Sequence, residues 1–318
     1  MSPAVQPENF WDNSGMMTPK TDIFGSTIRT FGIAAPASSC KPEELCAGIQ
    51  VLEQCGIKVI TGKHLFRKGT FSYLSADDSF RIDDFNSLAE NESVDAIICT
   101  RGGYGTPRIL EKINYEVLKE RNLPVIGFSD ITALHLAMLS QNAGRCVASQ
   151  MVARLPESML SRTTLSGMKR VYRQLDGTGG TWNKVGRKLV ALSGDQTVSG
   201  GVIPVNLTLA AALCGTDYMP SMKGRIVIIE EVGEPVRKID RMLNQLLYSK
   251  FFHGAAAVVF AQFTDCGNSA ERNRLFLDFA DRVNCPVFRG LEYGHALPSL
   301  SFLFDEPCRI GDRSLFLQ

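Results

Sequence analysis

The segment Val94–Thr100 (VDAIICT) constrains this chain more than any other. It is apolar over almost its whole length, short, and bounded by polar and glycine-rich sequence, so it reads as a strand buried on both faces. Such strands belong to parallel sheets whose two faces are covered by helices. The flanking sequence fits that expectation. Arg29–Ala35 (RTFGIAA) is a short apolar strand ended by Pro36. The following ASSCKPEEL opens a helix on Leu45, Cys46, Ile49 and Leu52, which stops at Gly56. Ile57–Gly62 is a second strand, and DDSFRIDDFNSLAEN is an acidic helix on Ile82, Phe85, Leu88 and Ala89. Pro124–Phe128 (PVIGF) is the fourth strand, followed by a helix with Ile131, Leu134, Met138 and Leu139 on one face. The rhythm is β-α-β, and the expected fold class is α/β.

A chain of 318 residues accommodates two cores. The pattern breaks between Arg154 and Lys188 and becomes glycine-rich there, then strand-like segments resume at TVSGGVIPV, GRIVIIEEV, AAAVVFAQF and PVFRGLEY. Helical patterns recur at Leu207–Leu213 and Ile239–Leu247. The reading is a loose tail over 1–26 and a parallel-sheet α/β domain over 27–165. A linker follows over 166–197, and a β-rich α/β domain over 198–318. With 34 basic and 33 acidic residues the net charge is +1, which gives no field for a nucleic-acid backbone. No apolar run approaches the ~20 residues of a membrane helix. The N-terminal segment has no charged start followed by an apolar core, so it does not read as a secretion signal. Nine cysteines, odd in number and without C-x-x-C spacing, argue against a disulfide framework and a zinc site. Reduced thiols and a cytoplasmic location follow.

Ligands of an open parallel sheet bind beyond the carboxyl ends of its strands. The third strand runs into Arg101-Gly102-Gly103-Tyr104-Gly105, where backbone N–H groups can turn toward an anion. The spacing is neither a P-loop nor G-x-G-x-x-G, and a plain tight turn fits as well. The fourth strand runs into Gly127-Phe128-Ser129-Asp130 and then a helix. A serine there is ordinarily an N-cap. It is also where a nucleophile elbow presents a hydroxyl, although the second glycine of G-x-S-x-G is absent. Cys99 is a weaker nucleophile candidate. A serine needs a base, and the chain has four histidines. His64 falls in a basic loop that reads as exposed, His135 on an apolar helix stripe, and His253 at the start of a strand. His295 lies in the turn-rich loop GLEYGHALPS and suits a base best. Glu230 and Glu231 end an apolar strand, where neighbours point to opposite faces, so one of them can orient a histidine. Glu231 reads as the residue at which the strand reaches solvent.

Seven segments in fixed order resemble the serine LD-carboxypeptidases, whose relatives include microcin C self-immunity peptidases. They are IAAPAS, SYLSADDSFRIDDFNSLAENESVDAII, RGGYG, GFSDITALHLAM, NLTLAAALCGT, IEEVGEPVRKIDRMLNQL and the GLEYGH loop, and the resemblance runs from about Thr27 to the C-terminus. The resemblance implies Ser129 as nucleophile, Glu230 as orienting acid and His295 as base. It further implies an oxyanion hole of Gly103 and Asp130 backbone N–H groups, and substrate contacts at Arg101, Tyr104 and Asn206. It implies an active site in the cleft between the two domains, a homodimer, and a cytoplasmic muropeptide tetrapeptide as substrate. A peptidyl-nucleotide antibiotic is the alternative substrate, and an anion-binding protein without chemistry the alternative class. The chain departs from the family pattern at Ala148-Ser149-Gln150-Met151, where His-Gly-Pro is common, and at Pro204-Val205-Asn206, where Gly-Gly-Asn is common. Both departures bear on substrate detail.

Overall fold

The computed structural model describes residues 23–318. The tail reading falls on 1–22, outside the described residues, and on 23–26, where it fails. Ile23 and Phe24 are fully buried, and the Phe24 ring packs edge-on against Phe31 and Tyr172. Ser26 and Thr27 then donate backbone and hydroxyl hydrogen bonds to Asp176.

The first half builds a parallel sheet from β1 (Thr30–Ala34), α1 (Pro42–Gln54), β2 (Lys58–Thr61), α2 (Asp78–Glu90), β3 (Ala96–Cys99), α3 (Tyr115–Glu120), β4 (Pro124–Gly127), α4 (Thr132–Ser140) and β5 (Arg145–Ala148). Strand β5 is one that the sequence pattern does not signal, since Arg145-Cys146-Val147-Ala148 has no apolar run like those of β3 and β4. The order is β5-β4-β3-β1-β2, with every pair parallel. All four residues of β3 are buried. Ile97 and Cys99 enter one core cluster and Ala96 and Ile98 the other, as the two-residue period of a doubly covered strand requires. In α1 the buried positions are Leu45, Gly48 and Leu52, whereas Cys46 is exposed. The inward position 48 admits only glycine, because a Cβ there would lie 2.0 Å from the Val152 carbonyl oxygen.

The second half contains α5 (Leu155–Ser158), α6 (Arg162–Leu175), β6 (Asn183–Val185), β7 (Val190–Ser193), β8 (Val198–Asn206), α7 (Leu207–Ala212), β9 (Arg225–Val232) and α8 (Val236–Tyr248). It continues with β10 (Ala257–Thr264), α9 (Ser269–Arg282), β11 (Val287–Arg289), β12 (Phe302–Leu303), β13 (Pro307–Gly311) and β14 (Ser314–Leu317). Eight of these strands form a mixed sheet ordered β6-β14-β13-β8-β9-β10-β11-β7, parallel through β8-β9-β10-β11. The architecture is two-domain α/β.

The expected linker over 166–197 is not one. Met168, Val171, Tyr172 and Leu175 of α6 are buried with Phe31 and Ile33 of the first sheet, and β6 and β7 are the edges of the second. Polar sequence concealed this, because α6 buries only a narrow stripe of an otherwise charged helix. The halves also interlock. Strand β12 crosses over to pair antiparallel with β5, and Arg170 is bonded to buried Glu306 and to the Ser301 carbonyl. Helix α4 lies inside this junction and is buried continuously from Thr132 to Met138, which is why it is apolar on every face.

Candidate functional site

Strand β4 delivers the chain to Ser129 through Gly127, where a Cβ would lie 2.8 Å from the Ile131 side chain, so the turn closes only over glycine. Ser129 itself has φ 62°, a left-handed conformation that is uncommon for a residue with a side chain. It opens a single 3-10 turn, Ser129–Ile131, whose cap position is Phe128, while Ile131 caps the helix that follows and the Ser129 hydroxyl is turned to His295. The N-cap explanation therefore does not apply. The backbone is held in a sparsely populated region while the hydroxyl points out of the sheet, which is the geometry of a nucleophile elbow without its second glycine.

The RGGYG turn meets this elbow. Gly102, rather than Gly103, makes the close approach. A Cβ on Gly102 would fall 2.9 Å from Ser129 Cβ, 3.0 Å from Oγ and 3.4 Å from the Asp130 nitrogen. Gly103 has φ 106°, and a Cβ there would collide with Ser38 instead. Ser38 Oγ also accepts from the Tyr104 N–H at 3.0 Å.

His295 comes from the loop after β11. Its Nε2 is 3.1 Å from Ser129 Oγ, and its Nδ1 is 2.8 Å from Glu230 Oε2. The ring lies 5.1 Å from that of Phe128. The loop is fixed by contacts that no sequence pattern advertised. Arg154 Nη1 donates to the His295 carbonyl at 2.9 Å, the Ala296 N–H donates to Gln262 Oε1 at 2.8 Å, and the Gly294 N–H donates to Ser299 Oγ. Arg154 and Gln262 come from distant segments, so only the folded chain brings them to this loop.

Glu230 is fully buried on β9. Its Oε1 accepts from Asn206 Nδ2 at 3.0 Å, leaving Oε2 for the histidine. Asn206 is not at a substrate surface, as the resemblance suggested. It is 2% exposed, and its Nδ2 also donates to Glu231 Oε1 at 3.1 Å. Its Oδ1 caps α7 at Leu209, and its N–H donates to Thr132 Oγ1 on the helix that follows Ser129. Glu231 does not reach solvent either. It is 2% exposed and accepts from Asn206, from the Thr208 N–H and hydroxyl, and from the Val232 N–H. Burial pushes its carboxyl pKa up, and Glu230 adds to that, against the lowering effect of its donors.

A cleft of about 920 Å³ opens over Ser129 and His295, lined also by Phe128, Gly102, Gly103 and Met151. Three cations reach it. Lys41 is paired with Glu44 and Arg154 with Glu157, whereas Arg101 touches the Ser39 carbonyl at 3.3 Å and no carboxylate among the described residues. Tyr104 sits on the outer side of its turn, half exposed, with its ring 5.9 Å from Tyr73.

The remaining candidates lie elsewhere. Cys99 is completely buried, and desolvation drives its thiol far above the ordinary range, which disfavours a thiolate there. None of the nine cysteines is in a disulfide. His135 is buried with Nε2 3.0 Å from the Val125 carbonyl, and burial lowers its pKa to about 4. His253 is exposed in a turn before β10. His64 is not a free loop residue: its N–H and Nδ1 both contact Asp84. With Asp83 these two form a grouping whose ligand atoms lie within 4.8 Å of one another, away from the residues lining the cleft. Among the described residues no helix is long and apolar enough to cross a membrane.

Carboxylate, imidazole and hydroxyl in one hydrogen-bonded series, on an α/β scaffold, is the side-chain order of serine hydrolases. The chain belongs to the LD-carboxypeptidase family, an enzyme class: the family's N-terminal domain matches residues 31–148 and its C-terminal domain residues 199–310. It is 28% identical over 276 residues to the murein tetrapeptide carboxypeptidase of Pseudomonas aeruginosa, covering 83% of this chain and 87% of that one. It is 26% identical over 306 residues to the microcin C7 self-immunity protein of Escherichia coli, covering 87% and 88%. Among solved structures, the muramoyltetrapeptide carboxypeptidase of Oxalobacter formigenes shares the fold with a TM-score of 0.77 at 24% identity, covering 91% of this chain and 97% of that one. The self-immunity protein does so with a TM-score of 0.80 at 19%, covering 92% and 96%.

Proposed function

We propose that the chain is a serine LD-carboxypeptidase that hydrolyses the amide to the terminal D-alanine of muropeptide tetrapeptides. The observation that carries this reading is the unbroken series Glu230–His295–Ser129, at 2.8 and 3.1 Å, opening into the cleft. His295 takes the Ser129 proton through Nε2 as Oγ attacks the carbonyl carbon, and Glu230 holds the Nδ1–H tautomer and steadies the imidazolium. The developing oxyanion is received by backbone N–H groups of Asp130 and of the RGGYG turn. His295 then protonates the departing amine, and water attacks the acyl-enzyme by the same route in reverse. Arg101, the cleft cation with no carboxylate partner among the described residues, is the group for the substrate's terminal carboxylate. The same reading places the protein in the cytoplasm as a homodimer, with no cofactor or nucleic-acid partner.

The test is mass spectrometry of a tetrapeptide muropeptide incubated with wild-type protein and with Ser129→Ala. Loss of one alanine with wild type alone supports the reading. Turnover of a peptidyl-nucleotide amide in place of the muropeptide would transfer the same chemistry to the antibiotic-type substrate.

A further inference from the structure

The side chain of Asp130 is engaged in something that a backbone oxyanion donor does not require. It is completely buried, and its Oδ2 accepts from the Thr106 N–H at 2.8 Å. The carbonyl of the same peptide unit, Gly105 O, accepts from Arg81 Nη1 at 3.0 Å. Arg81 is itself 3% exposed, bonded also to the Pro36 carbonyl and, through Nη2, to Asp78 at 2.5 Å. One peptide plane is thus gripped at both poles, by a buried carboxyl on its N–H and a buried guanidinium on its carbonyl.

That plane closes the RGGYG turn. Gly103 and Gly105 have φ values of 106° and 140°, backbone states open to glycine alone, so the turn has little intrinsic preference for its observed shape. Gly102 must nevertheless stay in van der Waals contact with Ser129. Burying a carboxylate is expensive unless something uses it, and here Oδ1 meets no hydrogen-bond partner within normal geometry among the described residues. An acid in the first turn of a helix can serve the helix dipole alone, but that role needs neither burial nor a bond to a neighbouring loop.

We propose that the Asp130 side chain is a positioning residue that, with Arg81, clamps the Gly105–Thr106 peptide and so holds the RGGYG turn against the nucleophile. This rests on the assignment of Ser129. Its function is geometric: the clamp keeps the turn's N–H groups where charge develops, and touches no substrate.

The experiment measures the rate at which a serine-directed phosphonate labels the whole protein, since that rate depends on nucleophile and oxyanion donors and not on substrate identity. Asp130→Ala is expected to label roughly 100-fold more slowly, the scale of one lost oxyanion donor. The same variant should lose kcat by a similar factor with KM within about threefold of wild type. Asp130→Asn, which keeps an acceptor for Thr106, should recover to within about tenfold. Arg81→Lys leaves both Ser129 and Asp130 in place and should slow labelling about tenfold, so the clamp remains testable if Asp130→Ala does not fold. Labelling of Asp130→Ala at the wild-type rate, or equal losses in the Ala and Asn variants, overturns the clamp and leaves Ser129 standing. A wild-type protein that does not react overturns the Ser129 assignment and the clamp with it.

Discussion

Ser129 and His295 are 166 residues apart in sequence, one at the end of a strand in the first sheet and the other in a loop of the second half, yet their Oγ and Nε2 lie 3.1 Å apart. Neither half contains the pair. Replacing Ser129 by Ala removes the hydroxyl and is expected to lower turnover by ~10⁴-fold or more, as in other triads. Steady-state kinetics on the tetrapeptide checks this, and turnover near wild type would reject Ser129 as nucleophile.

Glu230 accepts from His295 and from Asn206 with different oxygens. Glu230→Gln keeps the shape but can turn an N–H toward His295, favouring the wrong tautomer. A loss of ~10⁴-fold in kcat is expected, with a melting temperature that stays close to wild type.

Asn206 bonds to both buried acids, caps α7 and reaches Thr132. Asn206→Ala deprives two carboxylates of a donor and a helix of its cap, for a stability loss of roughly 2–4 kcal/mol from those contributions together. Denaturant unfolding measures it. A loss below about 0.5 kcal/mol would show that the amide is dispensable.

His135 is buried in its neutral form, with its pKa lowered from 6.5 to about 4. A depressed folded pKa means that its contribution is complete above pH 6.5. That contribution falls away as the unfolded chain takes up a proton the folded chain refuses, until pH drops through about 4. Glu231 has the opposite sign. Its folded pKa is raised, so its contribution is full below the unfolded carboxylate range and is lost as pH rises through the folded pKa. Thermal unfolding between pH 7 and pH 4 should therefore show a smaller acid loss in His135→Gln than in wild type. Identical slopes would remove His135 from the account.

Cys46 is exposed and Cys99 sealed. Alkylation of the native protein should modify Cys46 and leave turnover within about twofold, because the hydroxyl and not a thiol carries the reaction. Peptide mapping after iodoacetamide treatment, followed by assay, decides it.

What was legible in the sequence was whatever a short stretch encodes by itself. Val94–Thr100 announced a doubly covered strand, GFSD a strand-to-helix corner, and the four histidines left one good base. What escaped depended on long-range closure. Glu231 reads as a strand end reaching water, but Asn206 and Thr208 enclose it. The segment 166–197 reads as linker, since α6 hides Met168, Val171, Tyr172 and Leu175 among charged neighbours. Gly102 and Gly103 are indistinguishable until Ser129 stands beside one of them. Ile23 and Phe24 gave no period at all, being two residues that fill a gap beside Tyr172.

The crossing of β12 into the first sheet changes what kind of object this enzyme is. A cleft between two bodies on a hinge can gape and close, and each body can be produced alone. Here the later part of the chain supplies an edge strand to the earlier part, and α6 of the middle segment is sealed onto the first sheet before the chain leaves for the second. Cutting the exposed turn around Gly177–Thr181 would sever the backbone and leave the two pieces gripping each other, with the reacting groups still in register. Each piece made separately would hold only part of the large core cluster that draws on residues from both halves.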